Sequence, residues 1–199
     1  MKPHFREENK LFKNGYKLVA GVDEVGRGAL AGPIVAAAVI LSQKTKIKGI
    51  NDSKKLKPQK REELYKKITA SAISWSVSLI DNKFIDKKGI TKANSDVLKG
   101  AVKKLKVKPD YLLIDAVKIK CGNIPSKSVI KGDEKIRSIA AASIVAKVFR
   151  DSLMRDYHHI FPKYSFHLHK GYGTKKHFAA IKKHGLSPLH RRSFLKNER

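Results

Sequence analysis

Apolar positions along the chain switch between strand-like runs and helix-like spacing, and the switches set out its elements. Leu18-Val19-Ala20-Gly21-Val22 and Ile34-Val35-Ala36-Ala37-Ala38-Val39-Ile40-Leu41 are unbroken apolar runs of strand length, as expected of buried strands. Gly26, Gly28, Gly32 and Pro33 punctuate the stretch between them, so the two runs predict a hairpin. A helix is predicted through Lys60 to Ile68, with Leu64 and Ile68 on one face and Asp52 or Ser53 as its start. Ser74 to Ile80 alternates polar and apolar residues and predicts a half-exposed strand. Ile90 to Leu105 returns to helical spacing, with Val97, Leu98, Ala101, Val102 and Leu105 as its stripe, before Pro109 resets the chain. Tyr111 to Asp115 predicts another strand, and Ser128-Val129-Ile130 a short one. A long helix then runs from Asp133 to about Tyr157. The order is mixed α/β, with no internal repeat.

Charge interrupts this pattern at informative places. Asp23 and Glu24 close the first apolar run, and Asp115 closes a later one. Neighbouring strand residues point to opposite faces, so Asp23 and Glu24 sit one on each side or the strand ends between them. Burying either carboxylate is costly without a cation, which predicts a metal ion or a nearby base; a tight hairpin with two solvated acids at its mouth is the plainer alternative. Asp133 reads both as a helix cap and as a further oxygen donor. Gly21-x-x-x-x-Gly26-Arg27-Gly28 has the glycine spacing of a phosphate-binding loop. Arg27 and Gly28 replace its lysine and hydroxyl residue, however, and Asp23 and Glu24 would repel phosphate.

Composition narrows the partners. Lysine and arginine number 44 against 17 acids, a net charge of +27. That excess predicts a polyanionic partner, of which nucleic acid is the simplest. Cys121 is the only cysteine, which excludes an internal disulfide and suits a reducing compartment. Met1 to Lys17 mixes charges of both signs without an apolar core, so no secretion signal is expected. The longest apolar run, Ala29 to Leu41, contains Gly32 and Pro33 and is shorter than the roughly 20 residues of a membrane span. A cytoplasmic monomer without membrane association is expected. His167 and His169 alternate as on a strand, but no histidine pair has the spacing of a structural zinc site. The tail from Phe161 onward interleaves basic and aromatic residues, which suits a nucleic-acid surface.

Asp23, Glu24, Asp115 and Asp133 offer oxygen ligands only, a set that suits Mg²⁺ or Mn²⁺ over zinc or copper. Two such ions about 4 Å apart activate water and stabilise a leaving oxygen in phosphodiester hydrolysis. A non-catalytic RNA- or nucleoid-binding protein would share the charge, but acids at two strand ends would repel its ligand.

The same residues carry a family resemblance. Asp23-Glu24-Val25-Gly26-Arg27-Gly28 with Ala31-Gly32-Pro33-Ile34-Val35-Ala36-Ala37-Ala38-Val39 resembles the signature of bacterial ribonuclease HII. So do Asp52-Ser53-Lys54-Lys55-Leu56, Ile114-Asp115, Lys131-Gly132-Asp133, Ser138 to Asp151, Phe166 to Thr174 and Pro188 to Phe194, in the family's order. The sister family ribonuclease HIII is less similar, since it typically has threonine where Arg27 stands. The resemblance implies an RNase H-like α/β fold: a five-stranded mixed sheet flanked by helices, with a basic helical C-terminal segment. It implies one catalytic domain over residues 1–199, of which about 157–199 form that segment. The implied activity is hydrolysis of the RNA strand of RNA/DNA hybrids and cleavage 5′ to ribonucleotides embedded in duplex DNA, leaving 3′-hydroxyl and 5′-phosphate ends. By position, Asp23, Glu24, Asp115 and Asp133 match the family's metal-binding carboxylates, expected to hold two ions with substrate bound. Gly26, Arg27 and Gly28 match the segment that reads the ribose 2′-hydroxyl, and Tyr172 the tyrosine that packs on the neighbouring sugar.

Overall fold

The structure, a computed structural model, describes residues 3–195. After a first helix α1 (Arg6–Lys13), strands β1 (Val19–Val25) and β2 (Ile34–Ile40) form the expected hairpin. Then follow α2 (Pro58–Ser71), β3 (Ser74–Ile80), α3 (Asn82–Lys88), α4 (Ile90–Lys103), β4 (Tyr111–Asp115) and β5 (Ser126–Val129). The chain finishes with α5 (Gly132–Lys135), α6 (Arg137–Ile160), α7 (Phe166–His169) and α8 (Lys175–His184). Among the described residues the strands form one mixed sheet in the order β3-β2-β1-β4-β5. β1–β2 and β2–β3 pair antiparallel, and β1–β4 and β4–β5 pair parallel.

Every side chain of β2 is buried, because helices cover both faces of the sheet. On one face Ala20, Val22, Ala36, Ala38 and Ile114 pack with Val97, Leu98 and Ala101 of α4. On the other, Val35, Ala37 and Val39 pack with Ala141, Ile144 and Val145 of α6, and with Leu64 and Ile68 of α2. Gly21 lies directly beneath α6: a Cβ there would overlap the Ser138 backbone. The close approach therefore requires glycine, and it ties β1 to α6 two residues before Asp23.

Several expectations are corrected. Asp52 does not start the helix; it accepts a bond from Lys54 N at 2.9 Å and caps a single 3-10 turn, Ser53–Lys55. The helix begins at Pro58, whose missing N–H and fixed φ suit a first helical position. β3 is half-exposed as expected, but its serines face inward. Ser76 Oγ donates to Ala101 O at 2.5 Å, and Ser78 Oγ fits against Gly100 of α4, while Trp75 and Leu79 face outward. The long helix from Asp133 is two helices, because Ile136 is extended and breaks it. The residue in the cap position of α5 is Lys131, so Asp133 stands in the first turn and is not the cap. His167 and His169 lie on the short helix α7, not on a strand.

Candidate metal centre and its surroundings

Alternation along two parallel strands assembles the acids. Val22 is paired with Ile114, and both face α4, so Asp23 and Asp115, one residue further on, share the α6 face. The first turn of α5 brings Asp133 to them. Asp23, Asp115 and Asp133 each place a carboxylate oxygen within 4.8 Å of the other two. Asp115 is fixed by Gly132 N–H, which donates to its Oδ1 at 2.6 Å. A side chain at Gly132 would meet Ile139 Cδ1 at 2.6 Å and Asp115 Oδ1 at 3.3 Å, so Ile139 would have to shift to admit one. Asp23 Oδ1 accepts from Glu24 N–H at 2.7 Å. Glu24 points from the opposite face of β1 and is not one of the three convergent acids, but it lines the same cleft as Asp23. Its Oε2 is buried without a partner.

The electrostatics are those of a site short of positive charge. Burial, then Glu24 and Asp115, hold the Asp23 carboxyl well above its ordinary value. Burial and Asp115 push Glu24 up to about 7. Asp115 and Asp133 are raised as well, chiefly by burial. Lys54, with Nζ 3.7 Å from Asp133 Oδ2, is pulled down by burial but raised on balance by the surrounding acids. Lys54, with the Arg27 charge that acts on Glu24, does not offset four carboxylates, whose proton affinities all stay raised. The all-oxygen donor set, the elevated proton affinities and the orphaned Glu24 oxygen all fit a hard divalent cation. The cleft beside Asp23 and Glu24 has a volume of about 280 Å³, and Lys54, Ser143, Lys147 and Tyr172 also line it.

Beside the cleft the turn Gly26-Arg27-Gly28 presents itself on backbone held from below. Two arginines, Arg150 of α6 and Arg191, are wholly buried, and neither is ion-paired with an acid among the described residues. Arg150 donates Nε–H to Pro33 O at 2.9 Å, Nη1–H to Lys170 O at 2.9 Å and Nη2–H to Ala31 O at 3.2 Å. Arg191 donates to Gly32 O through Nε and Nη2, and to Arg27 O at 2.8 Å through Nη1. Gly26, at φ +89°, rests against the Arg150 guanidinium where a Cβ would not fit. Gly28 has open space where its Cβ would be, and the Arg27 side chain is exposed. Tyr172 turns its ring toward Arg150, with the guanidinium carbon 5.3 Å from the ring centroid, and toward Lys147 Nζ at 5.9 Å. Sequence pattern assigns neither buried arginine a role, because their partners are backbone carbonyls far along the chain.

Known proteins share this arrangement of chain. The family model for ribonuclease HII matches residues 20–197. Ribonuclease HII of Caldicellulosiruptor saccharolyticus is 47% identical over 194 residues, 98% of this chain and 95% of that protein. Ribonuclease HII of Lactobacillus gasseri is 54% identical over 190 residues, 96% of this chain and 75% of that protein. The crystal structure of ribonuclease H2 from Pyrococcus horikoshii matches with a TM-score of 0.76 at 26% identity, covering 88% of this chain and 93% of that one. With the family model matching nearly the whole chain and relatives about half identical over it, the chain belongs to the ribonuclease HII family.

Proposed function

We propose that this ribonuclease H hydrolyses the RNA strand of RNA/DNA hybrids and cleaves 5′ to ribonucleotides embedded in duplex DNA, leaving 3′-hydroxyl and 5′-phosphate ends. The observation that carries the reading is the convergence of Asp23, Asp115 and Asp133, with the unpartnered Glu24 oxygen beside them, next to an exposed glycine turn. Asp23, Glu24, Asp115 and Asp133 hold Mg²⁺ or Mn²⁺, two ions when substrate is bound. A hard cation bound there supplies Lewis acidity and a more acidic water for phosphodiester hydrolysis. Their positions on strand ends and a packed first turn keep the carboxylates in place before substrate arrives.

Substrate selection falls to the turn. Nothing inside the protein requires glycine at position 28, so close approach by a ligand accounts for it better than packing does. Gly26, Arg27 and Gly28 present backbone to the ribose 2′-hydroxyl, the group that separates RNA from DNA. Tyr172 packs on the adjoining sugar, where an extra hydroxyl would crowd the ring. The net charge of +27 supplies the attraction to the duplex. The chain acts as one catalytic domain, with a basic segment from about residue 157 packed on it; residues 1–2 and 196–199 of that expected span lie outside the described residues. The protein works in the cytoplasm as a monomer, and no described helix is long and apolar enough to cross a membrane.

The test is cleavage of two labelled substrates, a long hybrid and a DNA duplex with one ribonucleotide, with and without Mn²⁺. Metal-dependent products ending in 3′-hydroxyl on both substrates are expected. Metal-independent binding without product would favour a nucleic-acid-binding protein instead. Tyr172→Ala should impair the single-ribonucleotide substrate more than the long hybrid, whose next sugar carries the hydroxyl.

A further inference from the structure

We propose that His190 and His177 form a two-imidazole relay that positions Tyr172, and through it sets the enzyme's preference between a lone ribonucleotide and a long hybrid. The preference rests on the role of Tyr172 proposed above; the relay itself rests on hydrogen bonds alone. Its proton positions follow from one end. The backbone N–H of Ser187 donates to His190 Nδ1 at 2.8 Å. An amide N–H only donates, so Nδ1 is the accepting nitrogen and the neutral ring carries its proton on Nε2. His190 Nε2 lies 3.1 Å from His177 Nε2, so His190 donates and His177 accepts there. The His177 proton is thereby left on Nδ1, which lies 3.0 Å from the Tyr172 carbonyl oxygen and donates to it, beside the Thr174 N–H that donates to the same oxygen at 2.9 Å. A single amide at Ser187 thus dictates both tautomers, and the chain ends on the backbone of Tyr172.

The other side of Tyr172 is held in a matching way. Its N–H donates to His169 O at 2.9 Å. His169 Nδ1 accepts from Gly171 N–H at 3.2 Å, and its Nε2–H donates to Tyr164 O at 2.8 Å. His169 also stacks on His177 with ring centroids 4.2 Å apart, and Tyr164 and Phe166 pack against His190. Both relay histidines are buried, and burial pushes each down to about 4, so the rings stay neutral near pH 7. A proton added at His177 Nε2 would face the His190 N–H and break the chain. Tyr172 is therefore gripped by both its N–H and its carbonyl, while its ring remains at the edge of the cleft beside Lys147 and Arg150.

Two measurements test this on the full chain with Mg²⁺ present. Nitrogen-15 long-range correlation spectra of the histidine-labelled wild type should show His177 protonated on Nδ1 and His190 on Nε2 at neutral pH. The reverse tautomers, or a charged ring, would overturn the relay. The second is the ratio of kcat/KM on the lone-ribonucleotide substrate to that on the long hybrid. His177→Asn keeps an amide donor where Nδ1–H stands, and His177→Gln keeps an acceptor where Nε2 stands but loses the bond to Tyr172. The ratio in H177N should stay within about twofold of wild type, and in H177Q it should fall about tenfold, inside the roughly hundredfold that a misplaced group can cost. Equal ratios in the two variants would overturn the positioning role and leave the histidines as core filling. An unchanged ratio in Tyr172→Ala would overturn the preference itself, whatever the tautomers show.

Discussion

Two buried polar regions flank the β1–β2 turn, and they are built on opposite terms. The acid cluster gathers Asp23, Asp115 and Asp133 beside Glu24, raises all four proton affinities and leaves one oxygen with no partner. The region beneath the C-terminal segment buries Arg150, Arg191, His169, His177 and His190, and none of their buried nitrogens lacks a partner. The first is incomplete without a ligand; the second is complete in itself. Like charges crowded at low dielectric store unfavourable energy that a cation relieves, whereas charges met by fixed backbone carbonyls hold those carbonyls in place. On the function and relay proposed above, chemistry falls to the unfinished region and positioning to the finished one.

Removing one acid should break that contrast most sharply. Asp115→Asn keeps the shape but deletes a charged ligand, and activity at saturating Mg²⁺ should fall by three or more orders of magnitude, about 4 kcal/mol. The metal-free variant should at the same time unfold at a higher temperature than metal-free wild type, because a repulsive charge has gone. Normal turnover would remove Asp115 from the site.

The finished region should respond in the opposite way. Arg150→Met leaves the carbonyls of Pro33, Lys170 and Ala31 without their donors, at about 1 kcal/mol each or more. Urea unfolding should show a loss of about 3 kcal/mol, with or without Mg²⁺. A loss below about 1 kcal/mol would mean that solvent or a shifted loop satisfies those carbonyls.

A smaller effect separates the regions by pH. Glu24 titrates near 7 in the folded, metal-free protein against an ordinary 4.5, so its stabilising contribution is full below about pH 4.5 and lost as pH rises through 7. His177 and His190, at about 4 against an ordinary 6.5, contribute stability that is full above pH 6.5 and lost as pH falls through 4. The rise in Tm on adding Mg²⁺ should therefore grow between roughly pH 5 and pH 7.5, as fewer protons have to be displaced. It should be abolished in Asp115→Asn and kept in His177→Asn. A pH-independent rise would place the cation away from these acids.

How far the sequence foretold this structure depends on what leaves a trace in it. The strands and α4 were legible because burial on two faces demands unbroken or periodic apolar residues. Asp23 and Asp115 stood out as acids ending such runs, and the pairing of Val22 with Ile114 explains why they meet. Asp133 was ambiguous, since a helix start attracts an acid for either reason; Lys131 in the cap position of α5 decides against capping. Alternation in Ser74 to Ile80 announced a strand but not its inner face, which the bond from Ser76 to Ala101 and the space beside Gly100 decide. Arg150 and Arg191 fall in stretches that carry the family resemblance, but their partners were illegible. A backbone carbonyl 117 residues away, as Pro33 is from Arg150, is supplied by any amino acid and marks no position.

The length of α6 is a constraint of another kind. Ser143, paired with Ser53, lines the cleft; Lys147 and Arg150 lie under Tyr172; and Met154 packs where Gly32 and Gly171 have no side chain. These residues recur along one side of a 24-residue helix, about 36 Å of rigid rod. One residue inserted between Ser143 and Lys147 would turn everything beyond it by ~100° and advance it by ~1.5 Å. Arg150 would then face away from the turn it supports while the acid cluster stayed intact. The helix works as a phased spacer between the cutting site and the surface that chooses where to cut, so insertions and deletions compatible with cleavage must fall in the surface connections.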